Sequence, residues 1–142
     1  TSIIGCYNSK TDTVELCNAG HLPALFRVND KFTEYNSSAL PLGVKQADNS
    51  NQYKLESFKL GEGRLYCFTD GYSECRNDQG EEIGIEGVKK LILDNNNSSF
   101  KKEISKISKF VEQSSTKGVN FNTDSGTDNI LEDDLTIVGL GK

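Results

Sequence analysis

The chain is poor in the residues that build several common kinds of site. It has no methionine or tryptophan, only two prolines, and a single histidine, His21. Its four cysteines, Cys6, Cys17, Cys67 and Cys75, form no Cys-x-x-Cys pair. A zinc site would need closer ligand spacing and more than one imidazole. Three of the thiols lie in strand-like runs and the fourth comes just after one, so they are expected to be reduced and mostly buried. No apolar run is as long as a transmembrane helix, and no signal peptide is visible, so no direct membrane insertion is expected. Basic residues are outnumbered 16 to 21, for a net charge of −5. A nucleic-acid partner would call for a basic face that releases counterions, so none is expected. A mildly acidic chain fits one that carries a cation or meets basic patches.

The 142 residues suit one domain, and the 35% that are hydrophobic cluster in short runs. Ser2–Tyr7 and Thr13–Cys17, joined by the turn residues 8–12, read as a hairpin with Val14 and Leu16 on one face. Ala24–Val28 and Phe32–Tyr35 read as strands across a turn at 29–31. Residues 36–51 read as a polar loop around Leu40-Pro41-Leu42-Gly43. Tyr53–Leu60 alternates through Tyr53, Leu55 and Phe58. Arg64–Thr69 is dense enough to be a central strand buried on both faces. The period then changes. Ile85, Val88, Leu91 and Ile92 recur at helical spacing, as do Phe100, Ile104, Ile107 and Val111, with lysines opposite and Ser99 as N-cap. Residues 114–132 read as a mobile loop, and Leu135–Leu140 as a last strand. Strands, two helices and a closing strand make an α+β fold with a largely antiparallel sheet.

Two acidic motifs stand at strand ends. Thr69-Asp70-Gly71 comes directly after the densest strand, and Asp133-Asp134-Leu135-Thr136 opens the last. Asp-Gly alone is a common turn dipeptide, and paired acids alone are a common solvated loop end. Together, carboxylates without His or Cys suit a hard cation, Mg²⁺ or Mn²⁺. Such an ion lowers the pKa of a bound water, which suits phosphoryl transfer. Alternation lets only one of Asp133 and Asp134 be a direct ligand. Asp70 and one acid of that pair are therefore the expected ligands, the other acid being in support or exposed, and Gly71 supports the site by letting the chain turn away at once. His21, in Asn18-Ala19-Gly20-His21-Leu22-Pro23, is expected to be structural, its imidazole bonding the turn backbone as Asn18 does. Glu74, Asp78, Glu81 and Glu82 read as a solvated face. Asp124, Asp128 and Glu132–Asp134 do not have EF-hand spacing.

In order along the chain come Asn18-Ala19-Gly20-His21-Leu22-Pro23, Leu40-Pro41-Leu42-Gly43, then Leu60-x-x-Gly63-x-Leu65-x-x-x-Thr69-Asp70-Gly71-x-x-Glu74. Gly84 and Asp133-Asp134-x-Thr136 complete the set. Over nearly the whole chain it resembles the SpoIIE/RsbU-like bacterial branch of the PPM-type metal-dependent protein phosphatases. The resemblance implies two antiparallel sheets in a sandwich flanked by helices. It implies two Mn²⁺ or Mg²⁺ ions and a bridging water that attacks phosphoserine or phosphothreonine directly. By the same resemblance Asp70 and Asp133 each bind one of the metals, and the Asn-Ala-Gly-His turn is structural. The implied substrate is a phosphorylated regulatory protein such as an anti-sigma-factor antagonist. The implied location is cytoplasmic, compatible with the cytoplasmic part of a larger sensor.

The family's Gly-Asp-type and Asp-x-x-Gly-His-Gly-type motifs, which bridge the metals, have no counterpart here. The chain also starts at Thr1, directly in the apolar Ile3-Ile4 run. Residues 1–142 are therefore read as the C-terminal portion of one phosphatase domain, close to inactive alone and prone to self-association through uncovered apolar surface. The alternative is a degenerate phosphatase that binds a phosphoprotein or partner without catalysis.

Overall fold

The computed structural model describes residues 1–44, 53–77, 79–96, 99–117 and 135–141. Two compact units divide the chain: Thr1–Cys67 with Val138–Lys142, and Phe68–Ile137.

The first unit holds two sheets. In one, β1 (Ser2–Asn8) pairs antiparallel with β2 (Thr13–Ala19), and β2 with β5 (Glu56–Lys59). In the other, the order is β4 (Lys31–Tyr35), β3 (Ala24–Val28), β6 (Arg64–Phe68) and β7 (Ile137–Gly141), with β3 antiparallel to both β4 and β6. The expected hairpin is present with Ser2 opposite Ala19 and Asn8 opposite Thr13. Its turn is fixed locally, since the Asn8 side-chain oxygen accepts from the Lys10 and Thr11 N–H groups. Val14 and Leu16 point inward from β2, Ala24 and Phe26 from β3, and Leu65 from β6, so both sheets share one core that also takes in Leu60. Phe58 joins it from β5, its ring 4.6 Å from both Phe26 and Tyr35. Each fully buried large apolar side chain here is worth about 1.5–3 kcal/mol. Gly63 is required by this packing, because a Cβ there would lie 2.4 Å from the Phe26 ring.

The second unit begins where β6 ends. A one-turn helix, α1 (Asp70–Ser73), is succeeded by α2 (Gly84–Asp94) and α3 (Phe100–Lys117). Val88 and Ile92 are buried on α2, and Ile107 and Val111 on α3, while Lys101, Lys102, Lys106 and Lys109 face outward. Ser99 precedes α3, and its carbonyl accepts the Glu103 N–H at 2.9 Å, as at an N-cap position.

Four expectations change. The fifth strand spans only Glu56–Lys59, and Tyr53 and Leu55 are exposed, because β2 ladders only with 56–59. Residues 114–117 extend α3 instead of opening a loop, and 118–132 lie outside the described residues. Asp70-Gly71 starts a helical turn where the dipeptide suggested a plain reversal. Of the thiols, all free, only Cys75 is buried and Cys6 is exposed, because β1 lies at a sheet edge.

Candidate metal centre

Asp70 owes its position to β6. Leu65, Tyr66 and Phe68 are buried, and the strand lies between β3 and β7. Thr69 continues the extended backbone, at φ −78° and ψ 163°, and the chain then closes into α1. Inside that turn the Tyr72 N–H donates to the Thr69 carbonyl at 3.1 Å, and the Glu74 N–H to the Asp70 carbonyl at 2.8 Å. The Ser73 hydroxyl also donates to the Asp70 carbonyl, at 2.9 Å. The Asp70 carbonyl thus accepts two hydrogen bonds, while its exposed side chain has no hydrogen bond or ion pair among the described residues. Gly71 is buried inside the turn, and its φ is not in the left-handed region. The position therefore does not need glycine for a reversal, contrary to the expectation from Asp-Gly.

Thr136, the last residue of the closing motif, is bonded to Thr69. The Thr69 N–H donates to the Thr136 carbonyl at 3.0 Å. The Thr136 N–H in turn donates to Thr69 Oγ1, also at 3.0 Å. These bonds join two motifs 67 residues apart in sequence. Thr69 adjoins Asp70, and Thr136 stands three positions after Asp133. Asp133 and Asp134 themselves lie outside the described residues. Among the described residues no three His, Cys, Asp or Glu side chains gather into a metal-binding group. The donor that is described, an unengaged carboxylate at the start of α1, is of the hard type that Mn²⁺ and Mg²⁺ take.

Asn18 is buried and ties its own turn. Its side-chain nitrogen donates to the Leu22 carbonyl at 2.9 Å and the Tyr35 carbonyl at 3.1 Å, and its oxygen accepts the His21 N–H at 3.0 Å. His21 adds no such bond through Nδ1, which is buried and has no partner among the described residues. Among the described residues Asn18 holds the turn, and Nδ1 of the imidazole does not share that work. Gly20, at φ +72°, lies against Pro41, so the Asn-Ala-Gly-His turn and the Leu-Pro-Leu-Gly loop rest on each other. Glu74, Glu81 and Glu82 are exposed, as expected of a solvated face. Asp78 and the acidic residues 124–132 lie outside the described residues.

Two residues had no signal in the sequence. Tyr72 is buried, its ring 6.3 Å from that of Phe68, and its hydroxyl shares a 3.0 Å hydrogen bond with Ser108 of α3. Burial holds the Tyr72 phenol above its ordinary pKa. The Ser108 bond pulls it down, and Glu112 pushes it up again.

Residues 1–141 match the family described as Stage II sporulation protein E (SpoIIE). The chain belongs to the SpoIIE family. Solved structures of PP2C-type phosphatase domains share the fold. The phosphatase domain of the cell fate determinant SpoIIE from Bacillus subtilis, presoaked with Mn, superposes with a TM-score of 0.68 at 13% identity. That match covers 99% of this chain and 56% of the other. The SiaA-PP2C domain of Pseudomonas aeruginosa gives 0.71 at 12% identity, over 99% and 50%. The RsbU and RsbW domains of a Mycobacterium tuberculosis protein give 0.56 at 19%, over 77% and 29%. No curated protein of similar sequence was found. The chain thus spans about half the length of the SpoIIE and SiaA domains it resembles. The expected α+β fold with two antiparallel sheets and helices is the SpoIIE-family fold. Among the described residues, no helix of this SpoIIE-family chain is long and apolar enough to cross a membrane.

Proposed function

We propose that this chain supplies one side of a two-metal phosphatase centre, with Asp70 and Asp133 as ligands to Mn²⁺ or Mg²⁺. The observation that supports the reading is the pair of hydrogen bonds that joins Thr69, the neighbour of Asp70, to Thr136, the last residue of the closing motif. Asp134 takes a supporting role beside Asp133. Bound there, the divalent ion supplies charge neutralisation and makes water a better nucleophile near neutral pH. The chain's own part is to hold the carboxylates still. β6 and the α1 turn fix the Asp70 backbone, and Thr69 fixes the start of the closing strand. Positioning and charge neutralisation are most of what phosphoryl transfer asks of a protein.

The reaction we assign to the complete protein is hydrolysis of phosphoserine or phosphothreonine on a regulatory protein, of the kind represented by anti-sigma-factor antagonists. Membership of the SpoIIE family supports the phosphoprotein class. We further propose that residues 1–142 are the C-terminal portion of a single cytoplasmic phosphatase domain whose facing acids come from elsewhere in the protein. The half-length match to the solved domains supports the reading of the chain as part of a domain.

The test uses the full-length protein with Mn²⁺ and a phosphoserine-bearing regulatory protein. Phosphate release that Asp70→Asn abolishes supports the enzyme. Tight binding of the phosphoprotein without phosphate release, in the presence of Mn²⁺, would instead support the degenerate binding module.

A further inference from the structure

The α1 turn has two anchors. One is the Thr69 backbone at the end of β6, and the other is the Tyr72 side chain. Tyr72 is only 1% exposed and packs beside Phe68. Its hydroxyl meets a single described partner, Ser108, at 3.0 Å, and Ser108 lies 36 residues away on α3. The α3 face around Ser108 is itself fixed, since Ile107 and Val111 are fully buried. Asp70 and Tyr72 belong to the same four-residue helix, whose hydrogen bonds run from Tyr72 back to Thr69 and from Glu74 and Ser73 back to Asp70. A turn this short has no internal bond that could absorb a displacement of Tyr72. Any shift of that side chain therefore passes to the Asp70 backbone, and a carboxylate ligand tolerates misplacement of only about half an ångström.

We infer that the Tyr72–Ser108 hydroxyl pair is a latch by which α3 positions Asp70, making Tyr72 and Ser108 positioning residues for the metal centre. This rests on the assignment of Asp70 as a ligand. A hydroxyl pair suits the role better than an apolar contact. A hydrogen bond is directional and fixes both distance and angle, whereas a phenyl ring against a methyl group can slide. Outer partners that orient metal ligands are commonly worth about 10–100-fold in affinity, and a partner acting through one turn of backbone should be worth less.

The experiment is a calorimetric titration of Mn²⁺ into the metal-free full-length protein. The variants are Tyr72→Phe, Ser108→Ala, their double variant, Ser108→Thr and Asp70→Asn, and each one's thermal midpoint is recorded without metal. The latch predicts that Tyr72→Phe and Ser108→Ala each weaken Mn²⁺ binding about three- to tenfold, with the double variant no worse than either single one. Ser108→Thr keeps a hydroxyl and restores most of the affinity. A merely structural role would lower the thermal midpoint and leave the Mn²⁺ affinity of the folded protein unchanged, and that result overturns the latch. Losses that simply multiply in the double variant also overturn it. Binding lost in Asp70→Asn but kept in Tyr72→Phe and Ser108→Ala removes the latch alone. Binding kept in Asp70→Asn removes the ligand assignment and the latch with it.

Discussion

Thr69 and Thr136 hold each other by two hydrogen bonds, each 3.0 Å long. One is a backbone bond, and the other uses the Thr69 hydroxyl as an acceptor. The second bond is what makes the first residue of the Thr-Asp-Gly motif specific. Serine would keep the oxygen, while valine would keep the shape and lose it.

The first prediction concerns that oxygen. Thr69→Val should leave the Thr136 N–H without its acceptor and cost about 1 kcal/mol, or up to about 3 if water cannot reach the group. Thr69→Ser should cost less. Urea unfolding of the full-length protein measures both, and Mn²⁺ affinity should fall in the same order. Equal stability and equal Mn²⁺ affinity in the two variants would show that the hydroxyl bond is idle.

The second prediction separates structure from chemistry in the Asn-Ala-Gly-His turn. Asn18→Ala removes three side-chain hydrogen bonds from a buried site and should destabilise by about 2–4 kcal/mol. Gly20→Ala meets both a φ of +72° and a Cβ 2.4 Å from Pro41, and should cost about 1–3 kcal/mol. His21→Ala should leave turnover within about twofold, because no described bond of the turn uses Nδ1. Loss of turnover in a normally stable His21→Ala protein would mean that the imidazole acts in the reaction.

Third, burial raises the Cys67 thiol to about 11, against an ordinary value of 9.0. A raised acid pKa means that the folded chain keeps its proton where the unfolded chain loses it. Below pH 9 this costs nothing. Between about 9 and 11 stability should fall as pH rises, and Cys67→Ala should flatten that fall. Thiol titration at about pH 8 should modify the exposed Cys6 first and Cys67 slowly. Rapid modification of Cys67 in the folded protein would contradict its partial burial.

Much of this arrangement is legible along the chain, for reasons that differ by element. Val14 and Leu16 alternate because one face of β2 meets the core, so the pattern records the burial directly. Tyr66 and Phe68 mark β6 as interior because no charged residue interrupts them. The helical runs at 85–92 and 100–111 are long enough for their period to show. The fifth strand misleads because alternation at Tyr53 and Leu55 carries no record of whether a neighbouring strand is there to pair. The α1 turn is too short to have a period, and Asp-Gly describes reversals and helix starts alike. The Thr69–Thr136 and Tyr72–Ser108 bonds join residues 67 and 36 positions apart. Only the first had a trace in the sequence, through the two motifs that contain it.

Fourth, residues 1–142 produced alone should bind Mn²⁺ weakly and hydrolyse p-nitrophenyl phosphate hardly above background. They should also self-associate, because Ile4 on β1 and Val138 on β7 are each more than 60% exposed on outer strands. Light scattering that shows a rigid monomer would count against the second point. Robust turnover that disappears in Asp70→Asn would overturn the one-sided centre.

The most direct measurement is Mn²⁺ binding and phosphatase turnover of the full-length protein, beside its Asp70→Asn and Asp133→Asn variants. If the two aspartates serve one metal centre, each substitution should weaken Mn²⁺ binding at least about tenfold and abolish turnover, while both variants stay folded. Wild-type Mn²⁺ affinity and turnover in a folded Asp133→Asn protein would contradict the account.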